Sequence, residues 1–174
     1  GCTITLGEGW CEPVECVGTS SKTWRVRVDG TGDAPTVQAG IDSSGRGDIV
    51  LVGPGTYYEN IDLKGRQIHL KGEMGAEATV LDGSRGDNSV VMSNPVEYIS
   101  ITIEGFTITG GAGQPGHSRL GGGVYSANTG LTLRSCTVRD NQMDCAPWCY
   151  SAGAGVYAKN PLSAPPVVIE KCLI

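Results

Sequence analysis

Hydrophobic and polar residues follow the same pattern in four short segments of the chain. In each segment apolar residues stand at the first, third and eighth positions, and the pair in the middle is usually polar or glycine. Alternation with a period of two is typical of a strand with one buried face, and the break in the middle indicates a corner between two strands. The segments are residues 61–68, 101–108, 131–138 and 167–174.

These segments begin 40, 30 and 36 residues apart, as expected for a solenoid whose loops vary in length. Stacked coils would place their third residues in one inward ladder, with neighbours about 4.8 Å apart. This ladder would contain Leu63, Ile103, Leu133 and Ile169. Gly-Gly-Gly-Val-Tyr at 121–125 and Gly-Ala-Gly-Val-Tyr at 153–157 mark a second repeated face. A β-sandwich is disfavoured because it would need tight hairpins between adjacent strands.

The predicted fold is therefore an all-β, right-handed parallel β-helix that occupies residues 24–174. A short helix, capped by Asp33 and reaching Ser43, precedes the first buried strand. Val37 and Ile41 are four residues apart and would share its buried face, so we expect this helix to cap one end of the β-helix. Residues 1–23 form a leader with an alternating strand and a cysteine loop.

The fourth segment ends at Ile174, which predicts an apolar coil edge that needs a cover. The favoured interpretation is a piece of a longer β-helix. The alternative is completion by another copy of the chain, in which the alternating stretch from Cys2 to Leu6 adds a strand to a neighbour's open edge.

Several stretches carry a resemblance to a known group of proteins. They are residues 28–33, 36–38, 47–61 and 79–83, together with the two Gly-rich Val-Tyr repeats. Over residues 25–174 the chain resembles secreted bacterial right-handed β-helix proteins of the pectin-lyase-like superfamily, which include surface β-helix repeat proteins. The resemblance implies the fold, but this superfamily contains lyases, glycosidases, epimerases, adhesins and surface-repeat proteins, so it leaves the function open.

Charge and composition narrow the partners and the location. The formal net charge is -5, the pI is near 5.0, and no basic cluster is present, which argues against nucleic-acid binding. No apolar run is long enough to cross a bilayer. The many cysteines in a Gly-rich chain favour an oxidising, extracellular or cell-surface location.

The cysteines predict disulfides more readily than a metal site. The favoured pairs are local, Cys11 with Cys16 and Cys145 with Cys149, which leaves Cys2 as an odd thiol for an intermolecular link. Zinc is disfavoured because neither pair has the two-residue spacing of a zinc knuckle. Cys136 and Cys172 hold the same position in neighbouring segments. They are either within disulfide range or simply small buried side chains.

Catalytic residues are not evident in the sequence. A glycosidase needs two converging carboxylates. Asp82, Asp140 and Asp144 are available, but Asp82 and Asp140 fit local turns. A lyase on acidic polysaccharide needs a base and a cation, and calcium would be its cofactor. Arg134 and Lys171 are the candidates for such roles.

Two further features have simple structural alternatives. Glu170 stands at the same segment position as Arg134, so an ion pair between coils is at least as good an interpretation of Arg134 as catalysis. The Arg-Gly-Asp triplets at 46–48 and 85–87 fit plain turns as well as receptor motifs. Stacking faces for sugars would come from tyrosine and tryptophan side chains, namely Tyr57, Tyr58, Tyr125, Tyr157 and Trp148.

The leading functional hypothesis is a non-catalytic extracellular scaffold that acts in surface structure, adhesion or filament assembly. Its partners would be copies of itself or a polysaccharide. The alternative is a carbohydrate-active enzyme, namely a lyase on acidic polysaccharide. The discriminating observation is turnover of a uronate polymer that depends on Arg134.

Overall fold

The computed structural model of the chain describes residues 20–84, 88–95, 99–113, 118–143, 150–162 and 164–174, with the backbone alone at 118, 119, 150 and 151. Short strands dominate these residues, and every strand pairing among them is parallel. One short helix lies near the start of the described part. The structure is thus a parallel β-solenoid, which confirms the predicted fold class.

In chain order the elements are β1 (Thr23–Val26), α1 (Val37–Ser43), β2 (Ile49–Val52), β3 (Gly55–Tyr57), β4 (Ile61–Asp62), β5 (His69–Gly72), β6 (Thr79–Asp82), β7 (Val91–Ser93), β8 (Ile99–Glu104), β9 (Thr107–Thr109), β10 (Ser118–Leu120), β11 (Val124–Ala127), β12 (Thr129–Arg134), β13 (Thr137–Val138), β14 (Tyr150–Ala152), β15 (Val156–Lys159) and β16 (Val168–Glu170).

Three stacked sheets form the faces of the solenoid within the described residues. Sheet A has the order β1-β2-β5-β8-β12-β16, sheet B has β3-β6-β9-β13, and sheet C has β4-β7-β11-β15. A separate pair joins β10 to β14. Hydrogen bonds in each sheet run from coil to coil, so parallel strands pair here without a crossover helix between them.

The core is a column of aliphatic side chains that stack from coil to coil. Ile103 pairs with Leu133 and Leu133 with Ile169 in sheet A, as the sequence pattern predicts. Ile108 and Val138 form the corresponding ladder in sheet B. Ile103, Ile108 and Leu133 are fully buried. At these buried positions the stack excludes water from the inner faces of sheets A and B.

The prediction that Leu63 belongs to the Ile103 ladder is wrong. Ile61 pairs with Val91 in sheet C, and the residue that stacks on Ile103 is Leu70 in β5. The error has a structural cause. The strand at 61–62 ends in a corner at Lys64, whose φ of 47° resembles that of the corner residue Ser135, 50°, in sheet A. A similar pattern of strand and corner therefore occurs on two faces of the coil.

The corners between sheets A and B place equivalent residues in left-handed backbone conformation. Gly105, Ser135 and Lys171 have φ values of 75°, 50° and 53° in successive coils. Left-handed conformation costs a non-glycine residue about 1–2 kcal/mol. The turn from sheet A into sheet B therefore places backbone strain on the non-glycine residues Ser135 and Lys171.

Helix α1 packs against the first coils, and its start differs from the prediction. Thr36, not Asp33, caps the helix, because its hydroxyl accepts the N–H of Ala39 at 3.0 Å. Asp33 instead accepts the backbone N–H of Arg25 at 2.9 Å, a partner that local sequence does not reveal. Val37 and Ile41 are fully buried in the core, as predicted for the face that caps the coils.

The last described coil leaves its inward positions exposed. Ile169 and Ile174 are 47% and 59% exposed, although their equivalents one coil earlier, Leu133 and Val138, are buried. Leu173, which bridges to the half-buried Thr137, is 68% exposed. The predicted leader strand, the cysteine loop and Cys2 fall within residues 1–19, outside the described residues.

Candidate functional site

Charged side chains form a column on the outer face of sheet A. Lys71, Glu104, Arg134 and Glu170 are in register on β5, β8, β12 and β16, so the charges alternate in sign from coil to coil. We call these four residues the ion-pair column. Opposite charges directly across neighbouring strands stabilise their pairing.

Two contacts in the ion-pair column reach ion-pair distance. Lys71 Nζ lies 3.3 Å from Glu104 Oε1, and Arg134 Nε lies 3.3 Å from Glu170 Oε2. The inter-coil ion pair predicted for Arg134 and Glu170 is therefore present. Both of these side chains are more than 40% exposed, so their attraction is screened by solvent and is worth at most about 1 kcal/mol.

Glu104 has a second hydrogen-bonding neighbour. His69 Nε2 lies 3.1 Å from Glu104 Oε2 on the same outer face. Burial alone would raise the pKa of Glu104, but the hydrogen bond and charge of Lys71, together with His69, outweigh burial and hold the pKa below its usual value. Glu104 therefore stays ionised into mildly acidic conditions.

The two catalytic candidates have different surroundings. The Arg134 guanidinium is engaged by Glu170 and lies in register with Glu104. Lys171 occupies the exposed corner that follows Glu170, with a left-handed backbone. Within the described ranges, Lys171 forms no salt bridge. The structure therefore places Arg134 inside a charge-neutralised column and Lys171 outside it.

The acidic residues considered for hydrolysis have local partners. The Asp82 carboxylate accepts the backbone N–H of Ser84 at 2.8 Å and also the Ser84 hydroxyl, which confirms a local turn. Asp140 pairs with its neighbour Arg139 and has a φ of 53°. Asp144 lies outside the described residues. Among the residues that are described, no group of three His, Cys, Asp or Glu side chains is arranged to hold a metal ion.

The first Arg-Gly-Asp triplet is built into the fold. The Asp48 carboxylate accepts the backbone N–H groups of Gly45 and Lys22, each at 2.8 Å, and the indole N–H of Trp24 at 3.0 Å. These bonds, led by that from Gly45, hold the pKa of Asp48 below its usual value. The carboxylate that a receptor would contact is thus used to fix strand β1. The second triplet, at 85–87, lies outside the described residues.

A cleft opens on the outer face of sheet C, at its corner with sheet A. It has a volume of about 500 Å³ and is lined by Tyr125, Ala127, Asn128, Lys159, Asn160 and Pro161. We call it the Tyr125 cleft. Sequence reasoning identified Tyr125 but missed Asn128 and Asn160. Both asparagines follow a Val-Tyr repeat at the same distance, three residues after the tyrosine, and this regularity was the available signal.

The tyrosines predicted as sugar platforms are partly used by the fold. The Tyr125 and Tyr157 rings stack on each other with centroids 5.7 Å apart and planes inclined by 9°. One face of each ring is thereby covered. Tyr57 is buried and donates its hydroxyl to Gly53 O at 3.1 Å. Trp148 lies outside the described residues.

Two polar side chains in the Tyr125 cleft differ in the contacts that they make with the rest of the fold. The Asn160 amide donates to Thr129 O and Pro165 O and accepts the Thr129 N–H, so it holds the corner together. Lys159 is exposed and forms no salt bridge within the described part of the chain. The cleft therefore presents a cation beside an aromatic ring, a combination that suits an acidic or neutral sugar.

Cys136 and Cys172 stack in neighbouring coils as free thiols. Cys136 is 2% exposed, and its backbone N–H points at the Cys172 sulfur at 3.4 Å. Burial raises the pKa of the Cys136 thiol to about 11. The proposed disulfide partners Cys11, Cys16, Cys145 and Cys149 lie outside the described residues.

Comparison with known proteins adds no family assignment. The sequence matches no protein-family model, and no curated protein matches it significantly. In the described ranges, none of the helical structure has the length and apolar character needed to cross a bilayer.

Proposed function

We propose that this chain is a non-catalytic scaffold at the cell surface, of the kind found among β-helix repeat proteins of the pectin-lyase-like superfamily. The observation that supports it best is the ion-pair column. Its four side chains alternate in charge along sheet A, and each one faces a neighbour of opposite sign in the next coil. Ion pairs in such a column stabilise the stacking of neighbouring coils, and a stable stack is what a scaffold requires.

The same column weighs against a lyase site at Arg134. To neutralise a uronate carboxylate, Arg134 would have to release Glu170, and the incoming carboxylate would meet Glu104 as a like charge. Like charges close together raise the free energy of a bound anion. An acidic polysaccharide would therefore bind poorly at this position.

Carbohydrate recognition is the second candidate function, and the Tyr125 cleft favours it. Lys159, Tyr125 and Asn128 line one open depression. Cell-surface adhesion to a polysaccharide would use this cleft without any chemistry. The lyase alternative would instead need a base near the same cleft or the column. An extracellular location belongs to both proposals and is supported by the resemblance and by the cysteine content.

The experiment that tests the scaffold proposal is a screen for unsaturated products over several uronate polymers with added calcium. We expect no turnover by the wild-type chain. Arg134→Ala and Lys171→Ala serve as matched variants, and each should fold and lose under about 1 kcal/mol of stability. Turnover by the wild type that disappears in Arg134→Ala would overturn the proposal in favour of the lyase.

Binding without turnover is measured separately by co-sedimentation with insoluble polysaccharides. If adhesion uses the Tyr125 cleft, Lys159→Ala should weaken binding while Lys22→Ala, a lysine on the far β1 side of the solenoid, should not. Equal binding by both variants would show that the Tyr125 cleft is not the polysaccharide-binding site, and the scaffold proposal would be unaffected.

A further inference from the structure

Cys136 and Cys172 are held in register by pairings on both sides. Arg134 pairs with Glu170 before them, and Thr137 bridges to Leu173 after them. In-register neighbours on parallel strands lie about 4.8 Å apart at Cα. This separation falls within the range of about 4.4–6.8 Å that disulfides require. The backbone therefore brings the two cysteines close enough for a covalent bond.

The two thiols point in the same direction along the stack. Cys172 Sγ already lies over the Cys136 backbone, 3.4 Å from its nitrogen. Cys136 Sγ points toward the preceding coil, 3.7 Å from Ile103 O and 3.3 Å from Arg134 O. A rotation about the Cα–Cβ bond of Cys136 would turn its sulfur toward Cys172. The rotation breaks only weak S–H hydrogen bonds.

We propose that Cys136 and Cys172 are the site of an inter-coil disulfide that forms when a small-molecule disulfide, such as oxidised glutathione, is the oxidant. This site is independent of the proposed scaffold function. It would tie the coil that contains β16 to the coil that contains β12. Within the described residues, β16 is an edge strand that is hydrogen-bonded to β12 alone. A covalent link would hold such an edge strand in place more than it would a central strand.

The reaction proceeds by two thiol–disulfide exchanges. Cys172 is the more exposed thiol, so its thiolate attacks one sulfur of the small disulfide, and the other half leaves as a thiolate. The Cys136 thiolate then attacks Cys172 Sγ in the mixed disulfide and releases the second small thiolate. Two protein thiols are oxidised, and two molecules of small thiol are formed, which take up the two protons.

The burial of Cys136 sets the rate of the second step. Because the pKa of its thiol is raised to about 11, little thiolate is present at neutral pH. The closure rate should therefore rise about tenfold per pH unit up to that value. The mixed disulfide on Cys172 should accumulate first and then convert.

The test treats the full chain with oxidised glutathione at about pH 9 and maps disulfides after non-reducing tryptic digestion. Cleavage after Arg134, Arg139 and Lys171 isolates the two cysteines in separate peptides, 135–139 and 172–174. We expect these two peptides to be recovered joined. We also expect the amide of Leu173, which donates to Cys136 O, to exchange about tenfold more slowly in the oxidised chain.

Two results would overturn the proposal. One is recovery of Cys172 as a stable mixed disulfide while Cys136 stays free, and the other is linkage of Cys172 to a different cysteine. Cys172→Ser is the control, and under the same conditions its Cys136 should stay unmodified. Rapid reaction of Cys136 in that variant would show an accessible thiol and would contradict the two-step order. The peptide map of the parent chain decides the matter even if the variant folds poorly.

Discussion

Ser93 and Ser126 occupy the same inward column of sheet C, one coil apart, but their hydroxyl groups are in different situations. Ser93 Oγ lies 2.9 Å from Thr129 Oγ1, whereas Ser126 Oγ is buried without a hydrogen-bond partner among the described residues. Both side chains are at most 1% exposed. The two serines therefore form a matched pair in which burial is equal and hydrogen bonding differs.

This difference predicts opposite effects of alanine substitution on stability. Ser126→Ala removes a buried hydroxyl whose desolvation nothing offsets, so the free energy of unfolding should stay constant or rise by about 1 kcal/mol. Ser93→Ala leaves Thr129 Oγ1 with one partner fewer and should cost about 1 kcal/mol. Urea unfolding of both variants measures the difference. Equal losses in the two would contradict the hydrogen-bond assignment.

The ion-pair column predicts a specific pH dependence. The pKa of Glu104 is lower in the folded chain than its ordinary value of 4.5, so its charge stabilises the fold above that value. This contribution disappears as the pH falls through the lower, folded pKa. The difference in unfolding free energy between wild type and Glu104→Gln should therefore be largest near neutral pH and shrink below about pH 4.5.

Chemical denaturation of the two proteins from neutral to acidic pH measures this difference. Other carboxylates with lowered pKa values, such as Asp42 and Asp48, are present in both proteins, so their contributions cancel. A difference that stays constant with pH would show that Lys71 and His69 do not act on Glu104 in solution.

The left-handed corners predict the effect of exchanging glycine and a larger residue. Gly105 has a φ of 75°, and a Cβ there would lie 3.1 Å from Gly72 O. Gly105→Ala should cost about 1–2 kcal/mol. Ser135→Gly, at the equivalent corner one coil later, removes a strained side chain and should be neutral or slightly stabilising. Thermal unfolding compares the two, and a loss of stability in Ser135→Gly equal to that in Gly105→Ala would contradict the strain argument.

The hydrogen bonds accepted by Asp48 predict that part of the first Arg-Gly-Asp motif has a structural role. Asp48→Ala removes the acceptor of three N–H groups around strand β1 and should cost about 1–3 kcal/mol. Asp29→Ala is the control, because Asp29 bonds only with the nearby Thr31 in the described structure. Its loss should be small. If both variants lose equally little stability, the Asp48 carboxylate is not a structural anchor.

The fold could be predicted from the sequence because, in a solenoid, residues at the same position of successive repeats pair with each other. Residues 101–108 and 131–138 are consecutive coils, so equal offsets gave the correct ladder from Ile103 to Leu133. The method failed for residues 61–68, since the same combination of strand and left-handed corner occurs in sheet C. Nothing in an octapeptide indicates to which face it belongs.

Because residues 61–68 were aligned with the wrong face, the sequence analysis also missed the Lys71–Glu104 half of the ion-pair column. The Arg134–Glu170 pair was predictable from equal positions in neighbouring segments. Lys71 follows Leu70, so a correct alignment of β5 would have placed it opposite Glu104. The mutual stacking of Tyr125 and Tyr157 was also within reach, because both tyrosines occupy one position of the Val-Tyr repeat. The orientation of the rings depends on side-chain torsions, and no sequence pattern specifies it.

In-register parallel stacking of the coils is the claim on which all other conclusions depend. NMR couplings transmitted through backbone hydrogen bonds test it most directly, because each coupling joins one amide nitrogen to one carbonyl carbon. We expect couplings from the Thr137 amide to the Phe106 carbonyl and from the Arg139 amide to the Ile108 carbonyl. Antiparallel partners for these amides, or couplings shifted by one residue, would contradict the solenoid.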